Sequence, residues 1–448
     1  MSSETAIANP YSYGRPIQDP EGFYGREQQL HDIFEYIEKK ECVNVVGERR
    51  SGKTSLLYRL QSREEQLSRR ADPNALSVYV DAEITPQSPD GFFREIFTQV
   101  GRLYPHLRVE IPDAELSEQQ VRLLFQEVQP YRLIVLVDEF ECISQCDAFP
   151  PRFFVFLRGL SFCYDISFIL STHRRLYECC TPEVVTSPFP NIFKTVEVGP
   201  FAPEEYEHFV KDTAMRGGSP LQLVQDDVAN LAGYFPYLVQ MACWHYFQVW
   251  TELGSLDEKA RAEVHRRFDQ EAASHFAAVW SRYLSDEERD TLLRLLDGDP
   301  SPRSNVVWRL QKRGYIQDGH LSSVALADYI RTQMQTVTAP PAVTEGVPSS
   351  GLWVDTASGN LYVEGNRLEP PLTKHQYRLV KLLFESKGKI CTPYMVVEAV
   401  WSEDYIDEVD DQRIAQLLTR LRRRVEPEGR PWRYIVTVHG RGITLGDG

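Results

Sequence analysis

One run of eight residues, Gly47 to Thr54, has the residue types and the spacing that bind a phosphate chain. It matches the pattern GxxxxGK followed by Ser or Thr, and it lies between the stretches CVNVV and SLLYRLQ, which predict a strand and a helix. Glycines let backbone N–H groups turn inward around phosphate, and the helix N-terminus adds partial positive charge. Lys53 can reach the terminal phosphates, and the Thr54 hydroxyl can ligate Mg²⁺. The ATP-binding residues predicted in and beside this P-loop are Gly47, Arg50, Ser51, Gly52, Lys53, Thr54 and Ser55.

Two carboxylates follow a second stretch that predicts a buried strand. The run from Leu133 to Val137 is entirely apolar, and Asp138 and Glu139 come directly after it. Phosphoryl transfer needs an acid beside Mg²⁺ and a base that orients the attacking water. We expect Asp138 to hold Mg²⁺ together with Thr54, and Glu139 to act on the water. The predicted catalytic residues are therefore Lys53, Asp138 and Glu139.

The segments that must position both motifs alternate between short β-branched stretches and longer amphipathic ones. Such alternation predicts a parallel α/β sheet with helices on its faces. The predicted strands, each apolar enough for burial on both faces, are residues 42–46, 77–80, 133–138, 167–171 and 195–198. The second of these lies between the two motifs in the chain. The phosphate strand and the carboxylate strand therefore need not be neighbours in the sheet.

The length of 448 residues is too great for one hydrophobic core and predicts several domains. We expect the P-loop domain at residues 1–200 and a helical lid domain at 201–284. A helix followed by a hairpin around Asp318-Gly319 predicts an internal winged helix at 285–336. Residues 337–350 are rich in Pro, Ser, Thr and Gly, which is typical of a linker, and the last domain is predicted at 351–448.

Composition and cysteine spacing bear on the class of protein. The hydrophobic share of 42% is ordinary for a globular protein, and no run approaches the roughly 18 apolar residues of a membrane span. The start MSSETAIANPYSYG lacks the basic and apolar regions of a secretory signal, so we expect the protein in the cytoplasm. The eight cysteines are scattered without CxxC spacing, which favours reduced core thiols over a zinc site.

The net charge of −15 argues at first against nucleic acid, because neutralising phosphates requires Lys and Arg. The charge is uneven, however. Residues 351–448 hold equal numbers of basic and acidic residues, and within residues 411–441 eight arginines stand against three acids. The chain thus combines an acidic body with one basic region. For Arg309, Lys312 and Arg313, which belong to the acidic body, we favour a structural role.

Apolar residues in the basic region recur with the period of a helix. The face predicted to pack on the core comprises Ile414, Leu417, Leu418, Leu421 and Val425. Arg and Gln on the opposite face can contact base edges or neutralise phosphates, and Arg441, which lies between two glycines, can enter the minor groove. The predicted DNA-binding residues are Arg413, Gln416, Thr419, Arg420, Arg423, Arg424 and Arg441. The alternative interpretation of a solvated basic helix stays open.

Three segments in the first half carry a resemblance: Asn9-Pro10-Tyr11 with Gly14-x-Pro16, then FYGRE from Phe23 to Glu27, then GERRSGKTSLL. Together they resemble the STAND and archaeal-type AAA+ ATPases over about residues 9–245. The resemblance implies a strand between the two motif strands, an N-terminal segment over adenine, a lid proline at the base, and a sensor segment for the γ-phosphate. Here the lid motif GYFP has one residue more than the family spacing, and the sensor segment is STHR. The further ATP-binding residues implied are Pro16, Ile17, Thr172, Arg174 and Pro236.

A second set of spaced motifs lies near the C-terminus. Leu372-Thr373 with Gln376 and Leu379 marks the start of a helix, Val400-Trp401 ends a second, and Thr419 to Arg422 lies in a third, while Tyr434 to Gly442 matches a wing. Together they resemble the OmpR-type winged-helix domain of transcriptional regulators, which implies binding to double-stranded DNA. Leu417 and Ile443 depart from the family pattern, which bears on base preference more than on fold.

These observations give one leading hypothesis and two alternatives. The expected fold class is an ASCE-type α/β P-loop NTPase with a helical lid, an internal winged helix and a C-terminal OmpR-type winged helix-turn-helix. The leading hypothesis is a transcription regulator, a slow ATPase whose nucleotide-dependent homo-oligomer binds DNA. The alternatives are the ATPase of a DNA transaction, such as a replication initiator or a transposition protein, and a defence or signalling scaffold. The acidic run at 403–411 lies where OmpR-type domains face RNA polymerase, a further implied partner.

Overall fold

The computed structural model describes residues 9–69, 72, 74–84, 88–185, 187–298, 304–338, 351–355, 360–368, 372, 374–386, 389–401, 407–426, 432–438 and 442–446. The chain forms two compact units, Met1–Gln333 and Met334–Gly448. Among the described helices, none is both long enough and apolar enough to cross a membrane.

A five-stranded parallel sheet forms the centre of the first unit. Its strands are β1 Cys42–Val46, β2 Ala75–Asp81, β3 Arg132–Asp138, β4 Ile166–Thr172 and β5 Phe193–Glu197. They lie in the order β2-β3-β4-β1-β5. The P-loop follows β1 and the two carboxylates end β3, so β4 separates the two motif strands. The strand that the family resemblance implies between the two motif strands is present as β4, whereas β2, which lies between the motifs in the chain, is at the edge of the sheet.

Helices cover both faces of this sheet because its strands are apolar on both faces. The helices of this layer are α1 Glu27–Glu38, α2 Lys53–Gln61, α3 Arg63–Ser68, α4 Pro89–Leu103, α5 Glu118–Val128, α6 Glu141–Ser144, α7 Pro151–Cys163, α8 Leu176–Cys179 and α9 Pro182–Val185. One face packs on α4, α5 and α7 through side chains such as Phe97, Phe125 and Leu157. The other packs on α1 and α2 through Ile33 and Leu56. This is the predicted P-loop NTPase fold.

The helical lid and the internal winged helix share one hydrophobic core. Their helices are α10 Pro203–Arg216, α11 Gln225–Ala232, α12 Pro236–Leu253, α13 Glu258–Ala278, a π-helix Val279–Tyr283, α14 Asp286–Leu296, α15 Ser304–Lys312 and α16 Val324–Thr338. The core joins Phe209 and Val239 of the lid to Leu292, Leu310 and Ile330 of the winged helix. The predicted boundary between residues 284 and 285 therefore does not separate two packing units.

The hairpin of the internal winged helix forms where it was predicted. Strands β6 Ile316–Gln317 and β7 His320–Leu321 flank Asp318 and Gly319, which both have positive φ angles of 50° and 81°. Helix α16 runs on to Thr338, so the first two residues of the predicted linker at 337–350 are helical. The rest of that linker lies outside the described residues.

In its described residues, the second unit combines a three-stranded sheet, a two-stranded hairpin and three helices around its own core. Its elements are β8 Leu352–Asp355, β9 Asn360–Val363, β10 Asn366–Arg367, α17 Lys374–Glu385, α18 Pro393–Trp401, α19 Asp407–Val425, β11 Ile435–Val438 and β12 Gly442–Leu445. Ile414, Leu418, Leu421 and Val425 of α19 are buried in this core, as their helical spacing predicts, and Leu417 is partly buried beside them. The sheet β8 to β10 was not predicted from the sequence.

The cysteines only partly follow the expectation of core thiols. All eight are free, and Cys42, Cys179, Cys243 and Cys391 are buried. Cys142 and Cys163, however, are exposed, because they occupy outward positions of α6 and α7. Their burial depends on the face of the helix on which they lie, which the number and spacing of cysteines do not indicate.

Candidate functional site

The P-loop is shaped by backbone conformations and by one close approach. The Gly47 N–H donates to the carbonyl oxygen of Thr172 at 3.1 Å, which joins the loop to β4. A Cβ atom on Gly47 would lie 2.3 Å from the carbonyl oxygen of Val198, so only glycine fits there. Arg50 and Gly52 have φ angles of 67° and 97°, left-handed conformations that turn the chain into a phosphate-binding concavity.

Lys53 lies inside this loop. Its Nζ donates to the carbonyl oxygens of Gly47 at 3.0 Å and Glu48 at 3.1 Å, and the residue is only 4% exposed. Because α2 begins at Lys53, the N–H groups of the first helical turn face the same loop. The arrangement gathers a cation and unpaired backbone donors where a phosphate chain can bind.

A cavity of about 240 Å³ opens over the P-loop. From outside the loop it is lined by Pro16 and Ile17 of the N-terminal segment, Glu139 after β3, and Pro236 and Tyr237 of the lid. The predicted loop residues that line it are Arg50, Ser51, Gly52, Lys53, Thr54 and Ser55. The Ile17 N–H donates to the Ser55 hydroxyl at 2.9 Å and so fixes the N-terminal segment on α2. Most of the predicted nucleotide-binding residues are thus brought together.

The two predicted catalytic carboxylates differ in their surroundings. Asp138 is 3% exposed and accepts hydrogen bonds from the Tyr79 hydroxyl and the Glu139 N–H, both at 3.1 Å. Glu139 lines the cavity and has a φ angle of 49°, which is rare for a residue other than glycine. Burial raises the pKa of Glu139 above its ordinary value, although the charges of His173 and Lys53 act in the opposite direction.

Thr54 and Asp138, the predicted Mg²⁺ ligands, offer donor atoms of the right kind. Thr54 lies in the first turn of α2 and lines the cavity, and Asp138 ends the carboxylate strand β3. A hydroxyl and a carboxylate are hard oxygen ligands, which Mg²⁺ prefers, and it commonly binds through one or two protein oxygens plus phosphates. The residues present therefore fit this ion.

Two predicted sensor residues lie away from the cavity over the P-loop. The Thr172 hydroxyl is buried, where it accepts from Asn44 Nδ2 at 2.9 Å and contacts the carbonyl oxygen of Arg174 at 2.6 Å. Arg174 donates through Nη2 to the carbonyl oxygen of Tyr283 at 2.7 Å and lines a second cavity of about 420 Å³. Arg174 therefore lies outside the cavity that Lys53 and Glu139 line, with its guanidinium group bonded to the π-helix, and its role beside the γ-phosphate stays a prediction.

Sequence reasoning missed two cationic contacts of the loop. Arg26 is 4% exposed and donates to the carbonyl oxygens of Gly199 at 2.7 Å, Pro200 at 3.1 Å and Ser51 at 3.3 Å. Its burial lowers the pKa of this guanidinium group to about 10. The guanidinium carbon of Arg50 lies 4.1 Å from the ring centroid of Tyr237, a cation–π contact between the loop and the lid. Only the motif FYGRE drew attention to Arg26, and no sequence signal identified Tyr237.

The basic helix α19 presents part of the predicted DNA-binding set. Thr419, Arg420 and Arg423 are exposed on the face opposite the core. Arg424 is half-buried and its Nη1 donates to Gln376 Oε1 at 3.2 Å. Arg422, which was not predicted to bind DNA, is buried and donates to the carbonyl oxygen of Ile435. The side chains of Arg413 and Gln416, and Arg441 altogether, lie outside the described residues.

Comparisons with protein families agree with this architecture. The family described as Novel STAND NTPase 2 matches residues 120–296, and the family described as AAA domain matches residues 37–180. The family described as Transcriptional regulatory protein, C terminal, matches residues 367–445. The chain therefore joins a STAND-type P-loop NTPase to a C-terminal OmpR-type domain.

Individual relatives are more distant. The uncharacterized transcriptional regulatory protein YcbL of Bacillus subtilis is 29% identical over 119 residues, which are 26% of this chain and 50% of that protein. The chain thus spans about half the length of this curated relative.

Two solved structures share the fold of the first unit. The Walker-type ATPase PABY2304 of Pyrococcus abyssi has a TM-score of 0.50 at 16% identity, covering 71% of this chain and 98% of that one. The Aeropyrum pernix ORC2 protein, in ADPNP–ADP complexes, has a TM-score of 0.52 at 14% identity, covering 75% and 99%.

Proposed function

We propose that this chain is an ATP-controlled transcription regulator whose nucleotide state sets its binding to double-stranded DNA. One observation carries the proposal. Lys53 and Glu139 line a single cavity in the first unit, and Arg420 and Arg423 form an exposed basic face on the second. A nucleotide site and a nucleic-acid surface on one chain are the two parts that such a switch requires.

The first unit supports binding and slow hydrolysis of ATP with Mg²⁺. Lys53 and the P-loop N–H groups would bind the phosphates, Thr54 and Asp138 would hold the ion, and Glu139 would orient the attacking water. The ion neutralises the developing charge on the phosphates. Since the lid residues Pro236 and Tyr237 line the same cavity, nucleotide contacts can bias the position of the lid.

The second unit supports binding in the major groove. Helix α19 exposes Thr419, Arg420 and Arg423, while Arg422 points inward and ties the helix to β11. One face of α19 is thus held against the core and the other is cationic, as suits a recognition helix, which must be held rigidly to contact DNA. We propose that nucleotide-driven self-association of the first unit brings two such helices to adjacent half-sites.

Turnover with and without duplex DNA tests the proposal. The purified chain is expected to hydrolyse ATP slowly, at about 0.01 turnovers per second or less, as switch-type nucleotide hydrolases do without an activator, and duplex DNA should change this rate by less than about threefold. Fast turnover that DNA stimulates would instead favour a DNA-transaction ATPase. Tight ATP binding without any turnover would favour a signalling scaffold. Specific binding to a duplex in a mobility-shift titration is needed in either case for the DNA part of the proposal.

A further inference from the structure

Two carboxylates and one imidazole meet at the edge of the nucleotide cavity. The ligand atoms of Glu139, Glu141 and His173 all lie within 4.8 Å of one another. His173 Nδ1 lies 3.4 Å from Glu139 Oε2 and closer still to Glu141 Oε1. The His173 backbone N–H also donates to Glu141 Oε1, at 2.9 Å. Glu141 therefore holds the backbone of His173, and the buried Nδ1 of the ring lies between Glu141 and Glu139.

Without a donor between them, the carboxylates of Glu139 and Glu141 would repel each other. The negative charge of Asp138 adds to this repulsion, while the cations that face Glu139 are Lys53 and Arg49. Glu139 also has a left-handed backbone conformation, which persists only where the surrounding structure holds it. An imidazole that separates the two acids would thus set the direction of the Glu139 carboxylate.

The ring of His173 is itself held from the side of the lid. It packs against the ring of Tyr283, with centroids 5.7 Å apart. Tyr283 ends the π-helix, and its carbonyl oxygen accepts from Arg174 at 2.7 Å and from Arg313 at 2.9 Å. Single-turn π segments in helices are frequent at functional sites. The contact therefore links the water-orienting glutamate to the junction of the lid and the internal winged helix.

We propose that His173 is a positioning residue for ATP hydrolysis, which holds the Glu139 carboxylate toward the cavity while Glu141 and Tyr283 hold the imidazole. The inference rests on the proposed role of Glu139 as the residue that orients water. His173 acts through Glu139 and touches neither phosphate nor water. It should therefore alter the chemical step and leave nucleotide affinity unchanged.

Three substitutions separate this role from a structural one. His173→Ala removes the donor, His173→Asn keeps a donor near the position of Nδ1, and His173→Gln moves the donor toward the position of Nε2. We expect His173→Ala and His173→Gln to lower kcat by about 10- to 100-fold, the range that a misplaced catalytic group costs. The kcat of His173→Asn should stay within about threefold of the kcat of the wild-type protein. The dissociation constant of a fluorescent ATP analogue should change less than about twofold throughout, and His31→Ala, on the exposed side of α1, is the control for loss of a histidine.

A double-mutant cycle completes the test. If His173 acts through Glu139, His173→Ala should lower the residual turnover of Glu139→Gln by less than about twofold, since interacting residues are not additive. Additive losses, an unchanged kcat in His173→Ala, or equal defects in the Asn and Ala variants would each overturn the proposal. Absence of ATP turnover in the wild-type protein, or full turnover in Glu139→Gln, would instead refute the proposed function. Failure of the His173 proposal can therefore be distinguished from failure of the proposed function.

Discussion

Arg313 of the internal winged helix forms an ion pair with Glu48 of the P-loop. The hydroxyl of Tyr315 donates to the other Glu48 oxygen at 2.9 Å, and Arg313 also pairs with Glu288 at 2.6 Å. Burial raises the pKa of the Tyr315 hydroxyl well above its ordinary value. Residues some 265 positions apart thus form one buried polar cluster. The winged helix holds the P-loop directly, which agrees with the structural role favoured for Arg313.

Removing one member of this cluster should cost much of the stability of the first unit. Arg313→Ala removes the cation that Glu48 and Glu288 share and leaves Glu48 buried without it, and breaking a buried pair costs about 3–5 kcal/mol. We expect a clear fall in the urea midpoint of the first unit, followed by tryptophan fluorescence. Arg294→Ala removes an exposed ion pair with Asp290 outside the cluster and is the matched control, with a change below about 1 kcal/mol. Equal midpoints for the two variants would show that the cluster contributes no net stability.

Substitutions in the P-loop cavity should separate binding from hydrolysis. Lys53→Ala removes the cation that lies inside the loop and is expected to weaken ATP binding and lower turnover by about 100-fold or more. Glu139→Gln keeps the cavity but removes the group that orients water, so ATP should stay bound and turnover should fall by about 100-fold or more. Equilibrium binding and phosphate release measured on both variants check this. Normal turnover in Glu139→Gln would contradict the role assigned to that residue.

Much of the nucleotide site followed from the sequence because its signals are local. The P-loop pattern, the strand before it and the pair Asp138-Glu139 are each contained in a few consecutive residues, and the structure brings Lys53 and Glu139 to one cavity. The contacts that could not be predicted join distant segments. The contact of Arg50 with Tyr237 depends on how the lid packs, and that of Arg313 with Glu48 depends on how the internal winged helix packs, which no short pattern encodes. For the same reason Arg174 lies against the π-helix and not in the cavity.

The exposed and buried arginines of α19 should respond differently to substitution. Arg420→Ala or Arg423→Ala should weaken DNA binding and lower the slope of log affinity against log salt by about one per lost phosphate contact. If a contact is to a base, the affinity loss should instead depend on sequence. Arg422→Ala should mainly destabilise the second unit, because its guanidinium group is bonded to β11. Mobility-shift titrations at several salt concentrations, beside thermal melting, distinguish the three variants. Unchanged DNA binding in both Arg420→Ala and Arg423→Ala would indicate that DNA contacts a different surface of the chain.

Nucleotide state is expected to change DNA affinity through assembly. A single winged helix contacts few base pairs, whereas two held together bind adjacent half-sites about 10 base pairs apart. Holding the second helix near its site gives an effective concentration in the millimolar range, which can raise overall affinity by about 100-fold or more. Self-association of the first unit would supply this gain. The surface of α19 itself needs no change.

Two variants on two duplexes test the assembly switch. With saturating ATP, Glu139→Gln should bind a duplex with two half-sites about 100-fold more tightly than Lys53→Ala does, because only the former holds ATP and assembles. On a duplex with one half-site the two variants should bind alike, since a single α19 makes the same contacts in both. Sedimentation of the two variants with ATP provides the independent measure of assembly. Equal affinities on the two-site duplex would contradict the switch, and a difference that persists on the single half-site would mean that the nucleotide state acts on the DNA-binding face within one chain.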